Sequence, residues 1–145
     1  MKTIITGSRA FFSMYNDFNP KDKDIIYIIE DDSTKHSYSY THVIGVCKII
    51  LTNLTKEQLF KIYDKKQVAS MSICNFLVPE FVEYFGITIE DLKRFKTYID
   101  TLDNKHLYLR IIYKAYLENG KFELTQEQRD RAYTSYKSWR PDFYK

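Results

Sequence analysis

Two short constellations near the N-terminus hold residue types that can do chemistry. Gly7-Ser8 follows the β-branched run Thr3-Ile4-Ile5-Thr6 and precedes Arg9 to Tyr15, a segment able to form a helical turn or two. A glycine and a hydroxyl residue at a strand-to-helix turn expose backbone N–H groups at a helix N-terminus, which favours phosphate. The glycine allows close approach of a ligand to the backbone, and the Ser8 hydroxyl adds a donor. The plainer reading of the dipeptide is a tight turn in which Ser8 caps the helix. The second constellation is Asp22-Lys23-Asp24, at the start of the strongest strand pattern in the chain. Alternate residues on a strand face the same way, so the two carboxylates converge. Like charges ~4 Å apart repel by ~4 kcal/mol at an effective dielectric of ~20. Mg²⁺, which takes one or two carboxylates together with phosphate oxygens and water, relieves that repulsion. The plainer reading is the solvated start of a strand, with Lys23 balancing part of the charge.

Other reactive side chains form no comparable pattern. His36, His42 and His106 are scattered, without carboxylates or cysteines at metal-ligand spacing. No nucleophile elbow frames Ser8 to make a hydrolytic pair with His42. Cys47 and Cys74 are isolated in apolar stretches, lack CxxC pairing, and read as core thiols rather than nucleophiles. Tyr133, Tyr136 and Trp139 alternate with Arg129, Arg131, Lys137 and Arg140 in the last segment. That mixture suits stacking on a nucleic acid. It suits equally a helix docked by its aromatics with its charges in solvent.

The elements that must position these residues change character along the chain. Thr3 to Thr6 reads as a short buried strand ended by Gly7. Asn16 to Lys21, with Pro20, reads as a loop. Asp24 to Glu30 is continuously apolar between its acidic ends, as expected of a central strand covered on both faces. Asp31 to Thr34 is a polar turn, and Tyr38 to Leu51 holds one long or two short strands with Gly45 as a bend or bulge. From Thr55 the period becomes helical. Thr55-Lys56-Glu57-Gln58 and Thr125-Gln126-Glu127-Gln128 are capping boxes, and Thr88-Ile89-Glu90-Asp91 is the same device with Asp in the last place. Gly86 and Gly120 stand where helix C-caps are wanted. Pro79 divides Val68 to Phe85 into two helical pieces or starts the second. Leu92, Phe95, Ile99 and Leu102 form one apolar stripe and Tyr108, Ile112, Ala115 and Tyr116 another, with Asp103-Asn104 between two antiparallel helices. The expected class is α+β: a core over residues 1–54 and a helical portion over 55–145 packed on it as one unit.

Composition narrows the function classes. The chain has 145 residues, 44% of them hydrophobic, with only 4 Gly and 3 Pro, which excludes disorder and collagen-like repeats. No apolar run approaches the ~20 residues of a membrane span, and the N-terminus lacks the long apolar stretch of a secretory signal. Two unpaired cysteines point to a reducing, cytoplasmic setting, and no membrane partner is expected. The net charge of +3 is evenly mixed along the chain, without the basic block typical of nucleic-acid binders. An aromatic content of 17%, with many Ile, Lys, Asn and Asp, suggests an AT-rich genome rather than any chemistry.

Taken together, Gly7-Ser8, the spacer Arg9-Ala10-Phe11 and Asp22-x-Asp24-Ile25 resemble the signature of the nucleotidyltransferase superfamily related to polymerase beta. The likeness covers about residues 3–30 and is nearest to the minimal and phage-encoded members. It implies a small mixed sheet with flanking helices. It also implies an Mg²⁺-dependent transfer of a nucleotidyl group from an NTP to an acceptor hydroxyl, on a protein or a nucleic acid. Carried over by the resemblance, Gly7, Ser8 and Arg9 would bind phosphate, and Asp22 and Asp24 would be the catalytic, metal-holding acids. The family has an apolar residue between the acids, where this chain has Lys23. It also has a third carboxylate on a following strand, whereas Tyr38 to Leu51 contains no acid and Cys47 or Lys48 falls near that position. Two alternatives stay open. One is a degenerate nucleotidyltransferase fold, kept as a protein- or nucleic-acid-binding module of a phage or mobile element and residing in the host cytoplasm. The other is a Rossmann-like nucleotide-sensing domain, suggested by Ile4-Ile5-Thr6-Gly7-Ser8-Arg9.

Overall fold

The computed structural model describes residues 2–20, 23–30, 37–43, 45–64 and 73–140. Strand β1 (Lys2–Thr6) leads through Gly7-Ser8 into the single-turn helix α1 (Arg9–Phe12). Strands β2 (Lys23–Ile29), β3 (Ser37–Val43) and β4 (Val46–Thr52) complete a four-stranded sheet of order β1-β2-β4-β3. β1 and β2 are antiparallel, β2 and β4 parallel, and β3 returns antiparallel on the outer side of β4. Of the one long or two short strands expected between Tyr38 and Leu51, the structure has two, joined as a hairpin with Gly45 at its turn in the left-handed region (φ 79°). The class is α+β with a mixed sheet.

Helices α2 (Lys56–Asp64), α3 (Pro79–Phe85), α4 (Ile89–Leu92), α5 (Lys96–Asp100), α6 (Leu107–Asn119) and α7 (Gln126–Ser138) follow. Thr88 and Thr125 form reciprocal capping boxes with Asp91 and Gln128, and Thr55 exchanges the same two bonds with Gln58. Gly86 and Gly120 close α3 and α6 in the left-handed conformation. Pro79 is the first residue of α3, where its missing N–H costs nothing. The helix expected over Leu92 to Leu102 is instead broken into α4, a 3₁₀ turn (Lys93–Phe95) and α5. Leu92, Phe95 and Ile99 remain buried through the break, so the apolar stripe outlives the regular helix. The loop residue Lys21, the turn at Asp31 to Thr34, Val68 to Ser72 and His36 lie outside the described residues.

One buried cluster joins the two parts of the chain. Ile4, Ile26, Ile28, Ile49 and Leu51 of the sheet meet Phe76, Leu77, Leu109, Ile112, Tyr133 and Tyr136 of the helical portion in it. Two strand expectations are corrected. β1 is an edge strand that buries only Ile4 and Thr6 while Thr3 and Ile5 are exposed, because alternate residues face opposite sides and only the inner side lies against the core. β2 is central and buries Ile26 and Ile28 on its inner face, but on its outer face only Ile25 is buried while Tyr27 and Ile29 are half-buried and Lys23 is exposed, so that face is covered in part. Among the described residues no helix is long and apolar enough to cross a membrane.

Candidate functional site

The sheet geometry brings the N-terminal constellations to one edge of the molecule. β1 ends at Thr6 where β2 begins, and the register aligns Thr6 with Asp24, Asp24 with Cys47, and Cys47 with the backbone of His42. Residues paired across strands point to the same face. Thr6, Asp24 and Cys47 therefore form one row at the end of the inner face, continuing the buried rows above them.

Gly7 extends that row. Its φ of 69° is left-handed, and a Cβ built on it would stand 2.2 Å from Oδ2 of Asp24 and 3.1 Å from Cγ. Only glycine lets the turn lie against the carboxylate. Ser8, expected as a side-chain cap, has helical angles (φ −62°, ψ −27°) and makes no cap bond to α1. With its backbone already inside the turn, its hydroxyl cannot reach forward to the N–H groups it would cap. It accepts instead from the Tyr136 hydroxyl of α7 at 3.2 Å.

The floor beneath this row is polar and buried. The Thr6 hydroxyl donates to Oδ1 of Asn75 at 2.7 Å. Asn75 and Cys74 belong to the 3₁₀ turn over Ile73–Leu77, all of it buried. Burial pushes the Cys74 thiol up to about 12, against the opposing pull of the Gly7 backbone and the Thr6 hydroxyl. Tyr108, at the start of α6, is raised by burial first, with Cys74, Tyr136 and Asp24 adding to the rise and Arg140 opposing it. Arg140 lies over the Tyr136 ring at 4.1 Å and the Tyr108 ring at 5.2 Å, beside the same sheet end.

A first prediction concerns Cys74. Its thiol stays neutral in the fold, so iodoacetamide at mildly alkaline pH should leave it unmodified until the protein unfolds, as read by mass spectrometry. The unfolded thiol ionises near ~8.5, and above that pH the unfolded chain binds fewer protons than the folded one. This contribution to stability is therefore complete below that range and falls as the pH rises towards about 12. Rapid native labelling of Cys74 would contradict the burial.

Of the residues singled out in the sequence, Gly7, Ser8, Asp24 and Cys47 meet at this sheet end. Asp22 lies outside the described residues. Arg9 lines a different cavity, together with Lys23 and Glu80, whose walls include none of Gly7, Ser8 or Asp24. Lys48 alternates with Cys47 and is exposed on the outer face, which leaves Cys47 as the residue beside Asp24. His106 contacts Asp103 at 2.6 Å, far along the chain at the start of α6. No local pattern points to Cys74, Asn75 or Tyr108, because long-range packing alone carries them under the strand ends. Tyr136 and Arg140 stood out by composition, but nothing linear tied them to Ser8.

Chemically, the row offers one described carboxylate, one thiol, a hydroxyl and a left-handed turn. Among the described residues no three His, Cys, Asp or Glu side chains gather as a metal centre. A single Mg²⁺ needs only one or two carboxylates when phosphate oxygens and water fill its other positions, so Asp24 fits a metal carried in by a triphosphate. The Cys47 sulfur is too soft to serve as a ligand for a second such ion. No protein-family model, curated protein or solved structure matches the chain.

Proposed function

We propose that the protein binds a magnesium–nucleoside triphosphate at the sheet end formed by Gly7, Ser8 and Asp24, and that nucleotidyl transfer from it is slow or lost. The close approach of the Gly7 turn to the Asp24 carboxylate carries this reading. A backbone turn suited to phosphate and an acid suited to the accompanying metal are thereby adjacent. The Ser8 hydroxyl, accepting from Tyr136, keeps its own proton to donate to a phosphate oxygen. Asp24 would hold the metal that arrives with the triphosphate and offset charge at the α-phosphorus.

Transfer also needs an activated acceptor oxygen, and in two-metal chemistry a second ion ~4 Å from the first. Cys47 stands beside Asp24 where the resemblance calls for an acid. Loss of a general-base contribution alone lowers a rate by ~10²–10⁴. Binding should accordingly outlast catalysis.

Calorimetric titration with Mg·ATP tests this reading. The native protein should bind, and Asp24→Asn, which keeps the shape but removes the charge, should weaken binding at least about tenfold. An absence of binding at about millimolar nucleotide would favour a protein- or nucleic-acid-binding module built on the same fold. Transfer at ordinary enzymatic rates would require an acid beyond Asp24 to complete the site.

A further inference from the structure

The cavity that takes Arg9 lies on the outer side of the sheet, away from Asp24. Ile5 and Lys23 reach it because they alternate along β1 and β2 with the inward-facing Thr6 and Asp24. Its volume is about 490 Å³, inside the range of ~300–1,000 Å³ typical of small-molecule sites. Ile5, Val78 and Pro79 give it an apolar wall, and Arg9, Lys23 and Glu80 a charged one.

The charged wall is unusual in being unspent. Among the described residues, none of the ion pairs involves Arg9, Lys23 or Glu80. The Arg9 Nε is buried without a hydrogen-bond partner. Guanidinium presents its N–H groups as a fork matched to carboxylate and phosphate oxygens, and Lys23 adds a second, mobile positive charge. With two cations against one carboxylate, the cavity selects negative charge.

We propose that this cavity is a binding site for a small organic anion, its phosphate or carboxylate head held by Arg9 and Lys23 and its apolar body seated on Ile5, Val78 and Pro79. The site stands apart from the Gly7–Asp24 end and does not depend on nucleotide binding there. It also gives Lys23 a role: beside the inward-facing Asp24, it is the residue aimed at the outer face. Glu80 tempers the pocket, disfavouring ligands that place a second negative charge beside it.

The test is a titration of the full chain with phenyl phosphate, benzoate and the neutral benzyl alcohol, followed by calorimetry and by the methyl resonances of Ile5 and Val78. Phenyl phosphate or benzoate should bind and shift those methyls, the tighter of the two identifying the headgroup. Benzyl alcohol should bind at least about tenfold more weakly. Lys23→Gln, at an exposed position, and Arg9→Gln should each weaken the anion about tenfold or more. Arg9→Lys, which keeps the charge, should retain part of the affinity, and Glu80→Gln should raise it. Asp24→Asn should leave it unchanged, which separates this site from the nucleotide site. Equal binding of benzyl alcohol, full affinity in a folded Lys23→Gln protein, or loss of binding in Asp24→Asn would overturn the proposal.

Discussion

Replacing Gly7 by alanine is expected to abolish Mg·ATP binding while costing the fold comparatively little. Two effects act at this position and they separate cleanly. The first is backbone strain: an L-residue in the left-handed region costs roughly 1–2 kcal/mol, and Gly7 has a φ of 69°. The second is steric. The new methyl would stand 2.2 Å from Oδ2 of Asp24, 3.1 Å from its Cγ and 3.3 Å from its Cβ, so the carboxylate has to swing out of the row. Strain lowers stability, and displacement of Asp24 removes the acid proposed to hold the metal. Gly120→Ala supplies the control, since Gly120 has the same φ of 69° with nothing within 4 Å of its added Cβ. In a denaturant titration Gly120→Ala should lose stability through strain alone and Gly7→Ala at least as much, and only Gly7→Ala should lose nucleotide affinity, by more than about tenfold. Equal nucleotide binding by the two variants would mean that the Gly7–Asp24 approach has no part in it.

The largest loss of stability is expected at Phe12. Its side chain is fully buried, and its ring lies 5.1 Å from Tyr133, 5.2 Å from Tyr136, 5.6 Å from Tyr108 and 6.2 Å from Phe18. These partners come from the loop after α1 and from α6 and α7, so one ring ties the start of the chain to its last two helices. Burying an aromatic ring among others adds about 0.5–1.5 kcal/mol per pair beyond area. Truncating such a residue to alanine typically costs about 3–5 kcal/mol. That is a large share of the ~5–15 kcal/mol that holds a domain together. Phe12→Ala should therefore lower the denaturation midpoint sharply without changing the slope of the transition. Because Tyr136 holds Ser8, the same variant should also loosen the Ser8 contact, visible as faster exchange of the Ser8 amide. A loss below about 1 kcal/mol would show that the helices dock on the sheet through other contacts.

Local chemistry was the legible part of this chain. Thr55, Thr88 and Thr125 announce their helices through reciprocal side-chain bonds spanning only three residues, and Gly86 and Gly120 end theirs for a reason confined to one φ angle. β2 was equally plain from its apolar run. Non-local decisions were not. Nothing in Thr3 to Thr6 tells whether a further strand will pair beyond it, so its place at the sheet edge had to come from the structure. The stripe from Leu92 to Leu102 reads as one helix because burial repeats at helical spacing, yet a 3₁₀ turn at Lys93–Phe95 keeps the same residues inside.

The site divides along the same line. Gly7 and Asp24 could be named together because strand parity and a turn glycine are local features, and Cys47 because it falls on the following strand. Arg9 follows Ser8 directly in sequence, yet the turn and α1 carry it to the cavity on the outer side of the sheet. Asn75 is an unremarkable residue in an apolar stretch until Thr6 needs an acceptor in the core.

The location of the nucleotide is the most direct test of the central claim. Manganese can replace magnesium on ATP and broadens nearby amide resonances in a ¹⁵N-labelled protein. Substoichiometric Mn·ATP should broaden first the amides of Thr6, Gly7, Ser8, Asp24 and Cys47, and the effect should vanish in Asp24→Asn. Broadening centred on Ile5, Val78 and Glu80 instead, or spread evenly over the surface, would contradict a metal–nucleotide site at the Gly7–Asp24 end of the sheet.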